Sequence, residues 1–148
     1  MSRLFEISED ECLRLLNAGI FGRIAFCTPK GPDMMPVNYT TVDGAILIRT
    51  AVDSPIARHC SGEQLLFETD YVNYERAHGW SVIARGVGEC VDAEQLTEDE
   101  RSVPEPRPWA HRGEPVWVRL RWTELTGRRI GTGWSPSAEL PVDRMPWR

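Results

Sequence analysis

Short runs of alternating apolar residues, set off by glycine, proline and Asp-Gly punctuation, predict a mainly β protein. Its antiparallel strands should close into a barrel or sandwich, with one amphipathic helix at the N-terminal end. Three observations carry this. The run at 36–50, PVNYTTVDGAILIRT, places two alternating arms around Asp43-Gly44, a hairpin signal because both turn residues must take positive φ. The run at 80–91, WSVIARGVGECV, sets Gly86 and Gly88 at period two, as a barrel bend or a close backbone approach requires. The run at 116–125, VWVRLRWTEL, puts Val116, Val118, Leu120 and Trp122 on one face and Trp117, Arg119 and Arg121 on the other. Closure of such strands removes exposed edges.

The elements follow in order. Residues 8–17 read as a helix that plugs an apolar opening: Ser8 is the cap, Glu11 lies at capping-box spacing, and Cys12, Leu13, Leu15 and Leu16 form the apolar face. Gly19 is a fitting left-handed stop. A strand over 22–28, a turn over 28–33 and the hairpin arms 34–42 and 45–50 come next. Pro36 cannot donate to a ladder, so it belongs at an edge or against a ligand. Residues 51–62 are irregular or briefly helical, with Ser54-Pro55 as a helix start. Residues 64–69 form a strand with Leu65 and Phe67 on one face, and 70–79 a loop or bulged connection. An acidic stretch with helical character (92–100) and a loop holding four of the eleven prolines (102–115) precede the last strand. The whole is one domain, 1–148, with its core at about 20–130 and a tail at 131–148.

Composition narrows the function. A formal net charge of -5 and a pI near 5.2 argue against nucleic acid and anionic membranes as partners. No apolar run approaches a membrane span, and the acidic N-terminus lacks a signal-peptide core, so a cytoplasmic protein is expected. The cysteines (Cys12, Cys27, Cys60, Cys90) show no C-x-x-C and the histidines no H-x-x-x-H, so buried free thiols and no metal site are expected. Of 17 basic residues only Lys30 is lysine, which excludes a Walker-type phosphate loop and leaves only a turn lysine for Schiff-base chemistry.

Among candidate chemical groups, no nucleophile–base pair stands out. Glu68 and Asp70 share a strand face at i, i+2, a pattern that more often marks a solvated or arginine-paired face than acid–base work. Six tryptophans are many for 148 residues; Trp109, in Pro108-Trp109-Ala110, lies on a proline-rich loop where it could cover a flat ring or a partner. Arg49 offers a fork of N–H donors beside the hydroxyls of Thr50 and Ser54, a set suited to a phosphate.

The segments GRIAF (22–26), PVNYTTVDGAILIRT (36–50), LLFETD (65–70), GWSVIARGVGECV (79–91), PWA (108–110) and ELTGRRI (124–130), taken in order, resemble the pyridoxamine 5′-phosphate oxidase-like family of flavin-binding split barrels, in its small actinobacterial form. The resemblance implies a six-stranded antiparallel split β-barrel of Greek-key type with an N-terminal capping helix. It implies a homodimer with FMN in each interface groove. By resemblance, Pro36, Val37 and Asn38 lie beside the flavin ring; Ile48, Arg49, Thr50 and Ser54 hold the ribityl phosphate; Trp80 and Ser81 supply polar contacts, often from the partner chain; and Trp109 covers the ring's outer edge. The chain departs from the pattern at two places. Pro55-Ile56 follows Ser54 where relatives carry a base, leaving Arg58 as the nearest cation, and Tyr39 stands where the oxidases place a lysine.

The leading expectation is thus an FMN-dependent oxidoreductase passing electrons or hydride to an unidentified small molecule. A deazaflavin-dependent reductase of the same fold, a non-catalytic flavin or small-molecule carrier, and a structural dimer with a vacant groove are the alternatives.

Overall fold

A computed structural model of the chain describes residues 4–106, 113–131, 133, 134 and 136. The elements are β1 (Leu4–Ile7), α1 (Glu9–Ala18), β2 (Phe21–Thr28), β3 (Gly31–Asn38), β4 (Thr40–Val42), β5 (Ala45–Ala51), α2 (Pro55–His59), β6 (Gln64–Asn73), β7 (His78–Val91), α3 (Glu98–Ser102) and β8 (Pro115–Ile130). A single sheet runs β3-β2-β6-β7-β8-β5-β4, and β1 adds to the far half of β8. All of these pairings are antiparallel. Eight strands stand where six were expected, for two reasons: β1 is an addition, and the first hairpin arm is broken at Tyr39 into β3 and β4.

That break closes the barrel. β3 and β4 lie at opposite ends of the hydrogen-bonded order, yet only Tyr39 separates them in the chain. Successive Cα atoms are about 3.8 Å apart, so the sheet must roll until its two edges meet at this residue. Tyr39 is 2 % exposed. Its hydroxyl donates to the Leu16 carbonyl at 2.6 Å, one of the last carbonyls of α1, which have no partner within the helix. Its ring packs on Phe67, centroids 4.6 Å apart. Gly19 is required by the same contact: its φ of -78° is not left-handed, but a Cβ there would overlap the Tyr39 hydroxyl. The expected left-handed stop is therefore replaced by a steric reason for glycine.

Strand alternation fills the barrel. Ile24 and Phe26, Ile46 and Ile48, Phe67, and Leu120 point inward from their strands, and α1 closes one end with Cys12, Leu15 and Leu16 while Leu13 faces out. Ser8 caps α1 as predicted. Asp43 and Gly44 both take positive φ, 49° and 73°, the turn that their sequence specifies. The bend in β7 falls between Arg85 and Gly86, where a Cβ would overlap the Arg121 carbonyl. β6 and β7 extend through much of the segment expected as loop, leaving a tight turn after Asn73.

The outer face of β5 and β8 is buried as well. Leu47, Val91 and Trp117 pack with Leu96 beneath the strap formed by 92–106. Arg119 ties the strap down. Its guanidinium donates to both oxygens of Glu100, at 2.5 and 2.6 Å, and to Glu89 at 3.0 Å. Arg119 accordingly holds the Glu100 carboxyl below its ordinary range. All four cysteines are free thiols; burial pushes Cys12 and Cys60 up to about 11, whereas Cys27 is exposed, contrary to the expectation that all are buried.

Tyr39→Phe leaves the Leu16 carbonyl without its partner in a dry site, so we expect a loss of about 1–3 kcal/mol. Urea unfolding should show a lower midpoint at an unchanged m-value; an unshifted midpoint would deny Tyr39 this role.

Candidate functional site

β4 and β5 pair with Thr40 opposite Leu47 and Val42 opposite Ala45. Extending that register would set Asn38 opposite Arg49, Val37 opposite Thr50 and Pro36 opposite Ala51. Instead β3 turns away to pair with β2, with Asn38 opposite Phe21 and Pro36 opposite Arg23. β3 and β5 still approach each other, without a ladder between them. The barrel is thus split from Tyr39 onward. Pro36, Val37 and Asn38 form one rim of the split and Ile48, Arg49 and Thr50 the other, so the structure brings together the hairpin residues singled out from the sequence. Pro36 sits on an edge strand, as its missing N–H demands. Asn38 is fixed by its amide, which donates to the Ile20 carbonyl at 3.4 Å.

Beyond the second rim the chain turns through Val52-Asp53 to Ser54, the cap of α2. The Ser54 hydroxyl oxygen accepts from the Ala57 N–H at 3.2 Å and from the Thr50 hydroxyl at 2.8 Å. Both of its lone pairs are then used, and its own proton is left to donate. Thr50 and Ser54 therefore act as one unit.

Other predicted members are placed differently. Arg49 neighbours Thr50 on a strand, so it projects to the opposite face; there its guanidinium lies 5.9 Å from the Trp117 ring centroid and its Nε 3.3 Å from a Glu105 oxygen. The expected cation–hydroxyl cluster is thereby divided between two faces. Ile48 is in the barrel core, so its side chain cannot hold a phosphate and only its backbone reaches the rim. Trp80 is also core, 2 % exposed, which removes it from the expected set of polar contacts on this surface. Ser81 lies on the outer face opposite Asp70. Ile56 is buried in the core, which explains the apolar residue where relatives carry a base, and Arg58 is exposed. Tyr39, in the lysine position, points into the core rather than the split. Trp109 lies outside the described residues.

A second polar cluster was only half legible. Glu68 and Asp70 do face an arginine, Arg23 on β2. Arg23 Nη1 lies 3.1 Å from Glu68 and 3.4 Å from Asp70. Burial, and then the neighbouring Asp70, push the Glu68 carboxyl up to about 7 against the pull of Arg23. This trio occupies the outer face of β2 and β6, next to Pro36 and among the half-buried side chains of Phe21, Leu66 and Ile83. No group of three or more His, Cys, Asp or Glu among the described residues could hold a metal, and no described helix is long and apolar enough to cross a membrane.

An antiparallel barrel split at one hairpin, with a hydroxyl pair and an arginine on its rim, defines a class, and the comparisons with known proteins agree. Residues 8–129 match the pyridoxamine 5′-phosphate oxidase family, and the chain belongs to it. An uncharacterised protein of Mycobacterium tuberculosis is 30 % identical over 131 residues, 84 % of each chain. A FAD-binding protein of Mycobacterium smegmatis is 31 % identical and superposes with a TM-score of 0.67 over 84 % of this chain and 97 % of its own. A FAD-binding protein of Mesorhizobium loti, 16 % identical, shares the fold with a TM-score of 0.71 over 89 % and 100 % of the two chains.

Glu68 gives a pH prediction. Its proton is held more tightly folded than unfolded, so between about pH 4.5 and 7 the folded state binds more protons, and stability falls as pH rises through that window. Glu68→Gln should match the wild type at pH 5 and exceed it at pH 8 by on the order of 1–2 kcal/mol in urea unfolding. A variant less stable than the wild type at pH 8 would contradict this.

Proposed function

We propose that the protein is a flavin-dependent oxidoreductase: the split between β3 and β5 receives FMN, or the equivalent half of a larger flavin nucleotide, and a second copy of the chain completes the site. The observation that carries this is the divergence of the hairpin at Tyr39. It leaves two strand rims without a ladder between them, with the Thr50–Ser54 hydroxyl pair at the end of one. A riboflavin phosphate fits that donor set. Ser54 has a hydroxyl proton to give, and the Arg49 Nε is buried without a hydrogen bond among the described residues, a state that costs free energy unless a partner arrives. The M. smegmatis relative, described as FAD-binding, supports a flavin.

Each residue then has a definite task. The Ser54 hydroxyl donates to the phosphate through a charge-assisted bond of about 1.5–3 kcal/mol, and Thr50, donating to Ser54, orients that hydroxyl. Pro36 and Val37 present a flat apolar edge to the ring, and Asn38, locked onto Ile20, keeps that edge in place. When bound, the flavin supplies the electron or hydride transfer, so the protein need not provide a nucleophile. Ser81 lies three strands from β3 on the outer face, roughly 14 Å at the usual strand spacing. It can reach the same ligand only from a partner chain. The half-buried outer face around Phe21, Leu66 and Ile83 is where that partner would sit. A carrier without turnover is the second reading, favoured by the burial of Ile56 in the place of a basic residue.

The tests are direct. Purified protein should carry or take up FMN, with visible flavin absorbance that bleaches on adding a nicotinamide donor; uptake without bleaching by any donor supports the carrier. Thr50→Val combined with Ser54→Ala should weaken FMN binding at least about tenfold, the equivalent of one lost charge-assisted bond, with the fold intact by circular dichroism. Light scattering should give a dimer; a monomer that binds FMN fully would refute the shared site.

A further inference from the structure

Arg49 and Glu105 form a contact that the barrel does not need. The arginine stands at the rim of the split, its guanidinium 5.9 Å from the Trp117 ring centroid and its Nε 3.3 Å from Glu105 Oε1. That distance makes an ion pair, yet among the described residues the Nε forms no hydrogen bond, so the carboxylate approaches off the N–H axis. Charge is neutralised while the directional donor stays unsatisfied. Arg119 and Glu100 differ in every respect: they meet through two short bonds and both are buried. One pair anchors the strap, and the other leaves a donor open.

We propose that Glu105 is a built-in rival for the anionic group that Arg49 receives, so that a phosphate-bearing ligand binds by displacing this carboxylate; the proposal rests on the reading of the split as a phosphate-holding site. The backbone at Glu105 lies between Pro104 and Pro106, and the strap is fixed upstream by Arg119. Both prolines restrict the chain, so the carboxylate leaves by side-chain rotation rather than by opening of the strap. Its side chain is 45 % exposed, against 21 % for Arg49; rotation takes it into water while the arginine remains seated over Trp117. The contact sets selectivity. A phosphomonoester dianion brings more charge and more acceptor oxygens than one carboxylate and replaces it. A neutral or weakly acidic ligand does not.

The experiment uses the full chain and two probes, inorganic phosphate read by thermal shift at constant ionic strength and FMN read by fluorescence quenching. Glu105→Gln should bind phosphate about fivefold more tightly than the wild type, the most that an exposed ion pair usually contributes. The gain should vanish in the Arg49→Gln background. Glu105→Ser serves as a second variant should the first fold poorly. Equal phosphate affinity in wild type and both variants, absence of phosphate binding altogether, or a gain that persists without Arg49 would overturn the proposal. A phosphate gain with no FMN binding in any protein upholds the rivalry and removes the flavin reading, so the two fail separately.

Discussion

A chain that crosses from one edge of a sheet to the other within one residue leaves the sheet no choice but to close. Tyr39 is that residue. Ahead of it the backbone belongs to β3 and the ladder with β2, and behind it to β4 and the ladder with β5. The side chain makes the crossing tolerable. It enters the core, caps the end of α1 through the Leu16 carbonyl and packs against Phe67 in a tilted ring pair, so helix, seam and barrel interior are secured at one point. Gly19 and Tyr39 are consequently one feature, since any larger residue at 19 would push the hydroxyl off its acceptor.

The second organising constraint is strand alternation. Because neighbouring side chains point to opposite faces, Arg49 and Thr50 cannot share a cluster formed by side chains of one face, nor can Trp80 and Ser81. In a barrel with a bare exterior this would waste half of each strand. Here the exterior of β5 and β8 is covered by the strap, and Arg49 is held over Trp117 beneath it. On the proposed reading, a ligand at the split would meet hydroxyls from one face and a guanidinium from the other. A phosphate would then be approached from two sides rather than by a flat patch.

Much of the fold was legible because it depends on local chemistry. The Asp43-Gly44 turn, the Ser8 and Ser54 caps, the bend at Gly86 and the edge position of Pro36 each follow from one residue's backbone preference. What escaped depends on distant partners. The break at Tyr39 looks like a continuous arm in the sequence, because nothing local shows that Ile20 takes its N–H. Arg23 pairs with Glu68 across 45 positions, and Glu105 finds Arg49 from a loop that reads as spacer. The basic residue missing after Ser54 looked like a defect, yet the structure gives it a packing reason: Ile56 is the side chain with which α2 seals the core. The rims of the split were identified through hairpin pattern and family resemblance, whereas which side chains face which way required the register.

The split also explains why chemistry would gather at this place. Sheet edges invite pairing with other chains, and proteins usually blunt them. β3 is such an edge, with Pro32 and Pro36 each removing a donor. Blunting is incomplete, however, because the opposite rim on β5 keeps backbone groups that the ladder with β4 no longer reaches after Leu47. The barrel stays open over the last four residues of β5, Ile48 to Ala51, with hydroxyl donors at the end and an arginine whose Nε is buried and unbonded beside it. On the reading proposed above, a bound ligand would supply the partner that the buried Arg49 Nε lacks among the described residues.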